Sequence, residues 1–279
     1  MAGLQTLREK SRLCLGEGLG IRPPLKWAGG KRWLVPHLRP IWSGHSHRRL
    51  VEPFSGGLAV ALGLLPEDAL LNDINPHAIN FYNSLKRGLV SKLDMQNDED
   101  YYYQCREQFN HLIATGKAKT KEAAELFYYL NRTGYNGLCR FNNQGQFNVP
   151  FGRYKKINYD LYVSEFASYK AIFADWQFTV SDFEKVAVKN DDFIYADPPY
   201  DVEFTQYSKE NFSWDDQVRL AHWLAKHPGP VVLSNQATTR VRKLYKSLGF
   251  KIRILDAPRR ISCTGDRSKA AEVLAVKGL

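Results

Sequence analysis

Apolar and polar positions along the 279-residue chain fall into two rhythms. Residues 50–54 (LVEPF) form a short apolar run closed by Ser55-Gly56-Gly57, the pattern of a buried strand entering a tight turn. Residues 58–65 follow as a short apolar helix and residues 69–72 (ALLN) as a second strand ending at Asp73. Pro76 then opens a helix to about Lys86. Strand, glycine turn, helix, strand, acid is the first half of a doubly wound α/β sheet. That rhythm stops near Arg87. Residues 88–130 are polar and rich in helix formers, with 122–130 (EAAELFYYL) the clearest amphipathic stretch. Between Phe141 and Phe147 stand only turn residues, which predicts a β-hairpin. The alternation resumes with a strand at 193–196 (FIYA), a helix over 215–226, a strand at 230–234 and a helix over 239–248. Residues 250–255 and 271–276 read as a closing pair of strands. The simplest architecture is one α/β domain (22–86 and 171–279) interrupted by a helical, hairpin-bearing insertion (87–170). Residues 1–21 read as a flexible lead-in.

Composition narrows the class. With 44% hydrophobic, 13% aromatic and 24% charged residues the chain is globular. Its longest near-continuous apolar run, 57–65, is nine residues, against roughly 20 for a membrane helix. Charged residues from Arg8 to Glu17 and the lack of an apolar segment argue against a secretory signal. Cys14, Cys105, Cys139 and Cys263 stand singly, with no CxxC and no His at zinc spacing. Neither a metal nor a disulfide framework is expected, in keeping with a reducing cytoplasm and a monomer. The net charge of +10 points to an anionic partner, nucleic acid before membrane. Two segments concentrate that charge. Residues 131–156 hold five basic and five aromatic residues and no acid, and residues 240–279 hold eleven Lys and Arg against three Asp and Glu.

Three motifs carry chemistry. Asp197-Pro198-Pro199-Tyr200 follows a predicted strand, at the carboxyl end where open α/β sheets place ligands. The prolines stiffen the loop and leave carbonyls as acceptors. An exocyclic base amine has two N–H bonds, which the Asp197 carboxylate and the Pro198 carbonyl can both accept, while Tyr200 offers a ring on which a base can stack. Glu52-Pro53-Phe54-Ser55-Gly56-Gly57, with Asp73 sixteen residues beyond Gly57, suits a ribose-bearing ligand. The full G-x-G-x-x-G fingerprint is absent, which favours a nucleoside without phosphates. Pro24-Leu25-Lys26-Trp27-Ala28-Gly29-Gly30-Lys31 has the wrong spacing for a phosphate loop, and Arg32 stands where Ser or Thr would bind magnesium. A Trp beside a Gly-Gly-Lys turn suits a small-molecule pocket instead.

Together these motifs resemble the Dam-type family of DNA adenine methyltransferases, which move a methyl group from S-adenosyl-L-methionine to N6 of adenine. The resemblance runs from about Pro24 to Val276 and includes the order of the parts, with the Asn72-Asp73-Ile74-Asn75 segment between them. It extends to residues 131–140 (NRTGYNGLCR) and 145–154 (GQFNVPFGRY), which are similar to the target-reading hairpin of members that recognise GATC. The resemblance implies a Rossmann-like methyltransferase sheet, double-stranded DNA as partner, base flipping and no metal. By position it implies catalytic Asp197, Pro198 and Tyr200, and donor contacts from Trp27, Lys31, Phe54, Gly56, Asp73 and Asp197. For DNA it implies Lys26 at a guanine, Leu138, Arg140 and Pro150 reading bases, Tyr135 and Asn136 supporting the opened pair, and Arg153 at the DNA surface. One departure stands out: the family's Phe-x-Gly-x-Gly is here Phe54-Ser55-Gly56-Gly57-Leu58. Alternatives are a methyltransferase acting on RNA or protein glutamine, which would typically carry Asn at position 197, a DNA-binding protein without catalysis, and, more distantly, a nicotinamide oxidoreductase.

Overall fold

The computed structural model describes residues 21–157, 166–201, 212–257 and 270–279, so most of the expected lead-in lies outside the described residues. In chain order the elements are α1 (Val35–Ser43), β1 (Leu50–Glu52), α2 (Ala59–Leu64), β2 (Ala69–Asn72) and α3 (Pro76–Lys86). Next come α4 (Glu99–Ala114), α5 (Lys121–Thr133), α6 (Phe166–Ile172), β3 (Trp176–Thr179) and β4 (Phe193–Ala196). The chain closes with α7 (Trp214–Ala225), β5 (Val231–Gln236), α8 (Thr239–Ser247), β6 (Lys251–Ala257) and β7 (Ala270–Lys277). They group into two compact units, one built from 33–55, 66–74 and 181–279, the other from 1–32, 56–65 and 75–180. Among the described residues no helix is long and apolar enough to cross a membrane.

The first unit is a sheet with strands in the order β2-β1-β4-β5-β7-β6. β2, β1, β4 and β5 are parallel, with Val51 level with both Leu70 and Ile194. β7 runs antiparallel to β5 and β6. β1, β2 and β4 are buried at every position, as strands covered on both faces must be, which is why their sequences are unbroken apolar runs rather than alternating ones. Val51, Ile194, Leu220, Val231, Leu233 and Val273 belong to one core cluster. Below the sheet, Asp192 is gripped by the Arg49 guanidinium at 2.9 and 2.7 Å and by the Lys189 amide at 2.6 Å, which fixes where β4 begins. The carboxyl ends of β1, β2 and β4 therefore share one edge, and each ends on a predicted motif.

The second unit is helical with an aromatic core. Phe81 of α3 stacks on Tyr128 of α5 at 5.3 Å and meets Phe166 of α6 edge-on at 5.8 Å. α3, which precedes residue 87, thus packs with helices that follow it. Each of its longer helices is capped by the residue type its sequence supplies. Asn75 accepts from the His77 and Ala78 amides, Asp98 from Tyr101 and Thr120 from Ala123. The hairpin appears as a bridge between Phe141 and Phe147, its turn tied by the Asn142 amide to the Gln146 carbonyl at 2.9 Å.

Candidate functional site

In the sheet unit, the Asp197–Tyr200 corner leaves the end of β4 and is held from several sides. Ser234 of β5 donates its hydroxyl to Asp197 Oδ1 at 2.8 Å. Tyr195, two residues back on β4 and so on the same face, lies 2.9 Å from that hydroxyl. Burial and the Asp197 charge hold the Tyr195 phenol well above its ordinary pKa, so it keeps its proton. Gln217 of α7 donates to the Pro199 carbonyl at 2.7 Å and accepts from Asn235 Nδ2 at 2.9 Å; Asn235 also bonds the Tyr245 hydroxyl at 3.0 Å. No hydrogen bond to the Pro198 carbonyl is found among the described residues, so this acceptor is available. The Tyr200 hydroxyl donates to Glu272 of β7, and burial together with Asp197 and Glu272 raises its pKa far beyond the working range. Asp201 is clamped by Arg240 and by Thr238, and the Arg240 guanidinium lies 4.5 Å over the Trp214 ring. The corner is rigid because its side chains and the Pro199 carbonyl are anchored, in addition to its two prolines.

The same unit carries Phe54 and Asp73. Phe54 is half-buried beyond β1, its ring 5.7 Å from Phe183 and 5.6 Å from Phe212. Asp73 is buried one residue past β2. Two neighbours went unread in the sequence. Ser55, whose amide bonds the Asn72 carbonyl at 2.8 Å, buries a hydroxyl that has no hydrogen-bond partner among the described residues. Ile74 is 72% exposed beside the buried acid. A serine inside a glycine turn and an apolar residue after a strand-ending acid were the signals available. Ser234 and Asn235 were similarly visible as two polar residues closing an otherwise apolar strand.

In the helical unit, Trp27 lies against the glycine turn. A Cβ on Gly56 would stand 2.8 Å from the Trp27 indole nitrogen, and one on Gly57 would stand 2.8 Å from Trp27 Cβ. The glycines thus admit the Trp27 side chain. Tyr82 pins the turn through a 2.6 Å bond to the Gly56 carbonyl. Leu58 resolves the motif departure: its φ is 63°, the left-handed conformation a glycine would adopt freely, and its side chain is fully buried. Lys31 is buried and donates to the Gly29 carbonyl at 2.9 Å.

The hairpin belongs to this unit. Tyr135 and Asn136 follow α5 and are exposed, with Asn136 at φ 52°. The Tyr135 amide bonds the Pro150 carbonyl at 2.9 Å, which joins the two limbs. Arg140 is exposed, and Asn148 on the opposite limb accepts from its Nε at 2.8 Å and from Nη2 at 3.2 Å. Leu138 is half-buried; Arg153 is exposed and pairs with Glu99 at 3.0 Å. Lys26 is tied in as well: Asn131 bonds its amide and its carbonyl, each at 2.8 Å. Its Nζ donates to the Arg132 carbonyl at 2.7 Å and sits 3.7 Å from the Tyr154 ring centroid. Burial, and secondarily the Arg132 charge, push the Lys26 ammonium down to about 8. A Cβ on Gly137 would lie 2.3 Å from Lys26 Cβ, so this contact requires glycine.

A doubly wound sheet with an acidic, proline-stiffened corner at its carboxyl edge is an α/β fold with polar groups where such sheets bind ligands. Residues 27–261 match the family model of D12 class N6 adenine-specific DNA methyltransferases. The chain is 39% identical to the DNA adenine methylase of Vibrio cholerae serotype O1 over 273 residues, covering 90% of this chain and 94% of that one. It is 35% identical both to the DNA adenine methylase of Escherichia coli K12 and to the retron Ec67 DNA adenine methylase of Escherichia coli, covering 90% or more of each chain. The chain belongs to the D12 class of N6 adenine-specific DNA methyltransferases. Its sheet, parallel in β2, β1, β4 and β5 and closed by the antiparallel pair β7 and β6, is of the Rossmann-like, doubly wound type.

Proposed function

We propose that this chain methylates adenine N6 within GATC in double-stranded DNA, taking the base out of the helix and holding its amine at the Asp197–Tyr200 corner. The observation that carries the reading is that corner: Asp197 anchored by Ser234, the Pro199 carbonyl occupied by Gln217, and the Pro198 carbonyl available. The buried, unpartnered Ser55 hydroxyl near the end of β1 and the buried Asp73 carboxylate after β2 fit a ligand rich in hydroxyl and amine groups, as S-adenosyl-L-methionine is. In this reading Trp27, Lys31, Phe54, Gly56, Asp73 and Asp197 hold the donor, which when bound supplies an electrophilic methyl carbon. Asp197 and Pro198 accept the two N–H bonds of the adenine amine, which localises a lone pair otherwise delocalised into the ring. Positive charge gathers on nitrogen as the N–C bond forms and the methyl–sulfur bond breaks, so a preorganised carboxylate stabilises the transition state more than the ground state. Sulfur leaves as a neutral thioether, and one N–H proton is lost afterwards to solvent. Extruding the base costs a few kcal/mol, of which stacking on Tyr200 offsets about 1–3 kcal/mol.

The GATC assignment rests on the resemblance of residues 131–154 and on the exposed Tyr135, Asn136, Arg140 and Pro150 of the hairpin. Arg140 reads a guanine, with Leu138 and Pro150 beside it, Lys26 at the flanking guanine, and Arg153 at the backbone. Expression in a methylase-deficient host, followed by digestion with nucleases that distinguish methylated from unmethylated GATC, tests the reading. Protected DNA is expected. Asp197→Ala should lower turnover at least a hundredfold, as loss of an oriented acceptor costs about 3 kcal/mol or more. Unmethylated host DNA, or full turnover in Asp197→Ala, would refute the assignment.

A further inference from the structure

Behind Asp197 runs a short chain of hydroxyls that the mechanism above does not use. Ser234 has a single proton, and the geometry gives it to Asp197 Oδ1. The 2.9 Å contact between Tyr195 and Ser234 can then be satisfied in only one direction, with the phenol donating to the serine oxygen. Tyr195 and Ser234 are both buried, Tyr195 in the middle of β4 and Ser234 on the neighbouring strand β5. Strand pairing fixes both hydroxyls, and Ala196 lies level with Leu233. The carboxylate they address lacks that rigidity by itself, because the terminal torsion of an aspartate is a broad, soft well. A hydrogen bond from a fixed partner turns one oxygen inward and aims the other.

We infer that Tyr195 and Ser234 are positioning residues for the methyl-transfer step: the relay Tyr195→Ser234→Asp197 fixes the rotation of the Asp197 carboxylate so that its second oxygen meets the adenine amine. The inference rests on the proposed role of Asp197. Neither hydroxyl touches the substrate. Removing the relay leaves the ligand contacts in place and takes away the restraint that Ser234 puts on the rotation of the carboxylate. The loss therefore falls on kcat and spares KM.

The test uses the full chain, a GATC duplex and methyl-labelled S-adenosyl-L-methionine, with single-turnover rates and KM for DNA measured separately. Ser234→Ala is expected to lower the rate about ten- to a hundredfold with KM changed by less than about threefold. Ser234→Thr, which keeps the hydroxyl, is expected to recover most of it. Ser234→Ala also strands the buried Tyr195 hydroxyl, so Tyr195→Phe, which leaves no such orphan, serves as the milder variant with a smaller fall. The double variant should be no slower than Ser234→Ala alone, because both act through one carboxylate. Ser234→Ala should also add nothing in an Asp197→Asn background. An unchanged rate in Ser234→Ala, or a full further loss in the Asp197→Asn background, overturns the relay. A parent enzyme that labels no adenine tells against the functional reading instead. In that case a crystal structure of Ser234→Ala still decides: a rotated Asp197 carboxylate supports the relay, and an unmoved one overturns it.

Discussion

Lowering the pH from 7.5 to 4.5 should destabilise this protein through one buried imidazole. His77 lies at the start of α3 in an aromatic seat: Phe109 at 5.1 Å, Phe127 at 6.0 Å, and Phe141 stacked at 4.8 Å and 17°. Its Nδ1 is buried with no partner, and burial pushes the ring down to about 4 from its ordinary 6.5. The folded protein therefore keeps His77 neutral down to about 4, while the unfolded chain binds a proton near 6.5. Between those values the unfolded state holds more protons, so stability drops as the pH is lowered through the window. The shift is worth about 3 kcal/mol in full, of which about three-quarters is lost by pH 4.5. Urea unfolding of the wild type and of His77→Phe at pH 7.5, 6.0, 5.0 and 4.5 isolates this group, because the carboxylates titrate alike in both. The wild type should lose about 2–3 kcal/mol more than the variant over that range. Amide exchange in residues 141–147 should rise first in the wild type, since Phe141 belongs to the hairpin. Parallel pH curves for the two proteins would refute the argument.

Arg140→Ala should reduce discrimination at one guanine of the target by about 1–3 kcal/mol while S-adenosyl-L-methionine affinity holds, checked by methylation of single-base variants of GATC beside donor titration. Loss of donor affinity with target preference intact would contradict the role. Ser55→Ala should leave stability unchanged or raise it by up to about 1 kcal/mol, because it removes a buried hydroxyl without a partner, yet weaken donor binding several-fold. Calorimetric titration and thermal melting read the two effects separately. Leu58→Ala should cost about 2–5 kcal/mol through lost burial. Leu58→Gly should then be more stable than Leu58→Ala by about 1 kcal/mol, the reverse of the usual order, because φ at this position is 63°. Equal stabilities would show that the left-handed backbone is not held in solution.

What the sequence made legible, and what it hid, follows from how far each determinant acts along the chain. The strands at 69–72 and 193–196 and the helix from Pro76 to Lys86 coincide with the observed elements, since apolar runs and an N-terminal proline are local signals. β3 (Trp176–Thr179) was missed because four residues with only two buried make a weak pattern, and α1 because Pro36 and Pro40 interrupt its apolar spacing. The motif residues were legible as residue types; their partners were not, because those partners come from distant segments. Ser234 meets Asp197 across 37 positions, and Lys26 meets Arg132 across 106. The glycine turn shows the difference most clearly. From sequence, Leu58 reads as a departure from the family motif that leaves the geometry of the loop open. In the fold, Gly56 and Gly57 admit Trp27 against the turn, and Leu58 keeps the backbone a glycine would have while filling the core. A one-residue change in such a motif therefore shows only that the side chain differs; whether the loop differs depends on whether burial compensates the backbone cost. Here full burial of a leucine, about 2 kcal/mol, is of the same order as the 1–2 kcal/mol that a left-handed residue costs, so the turn survives without its second glycine.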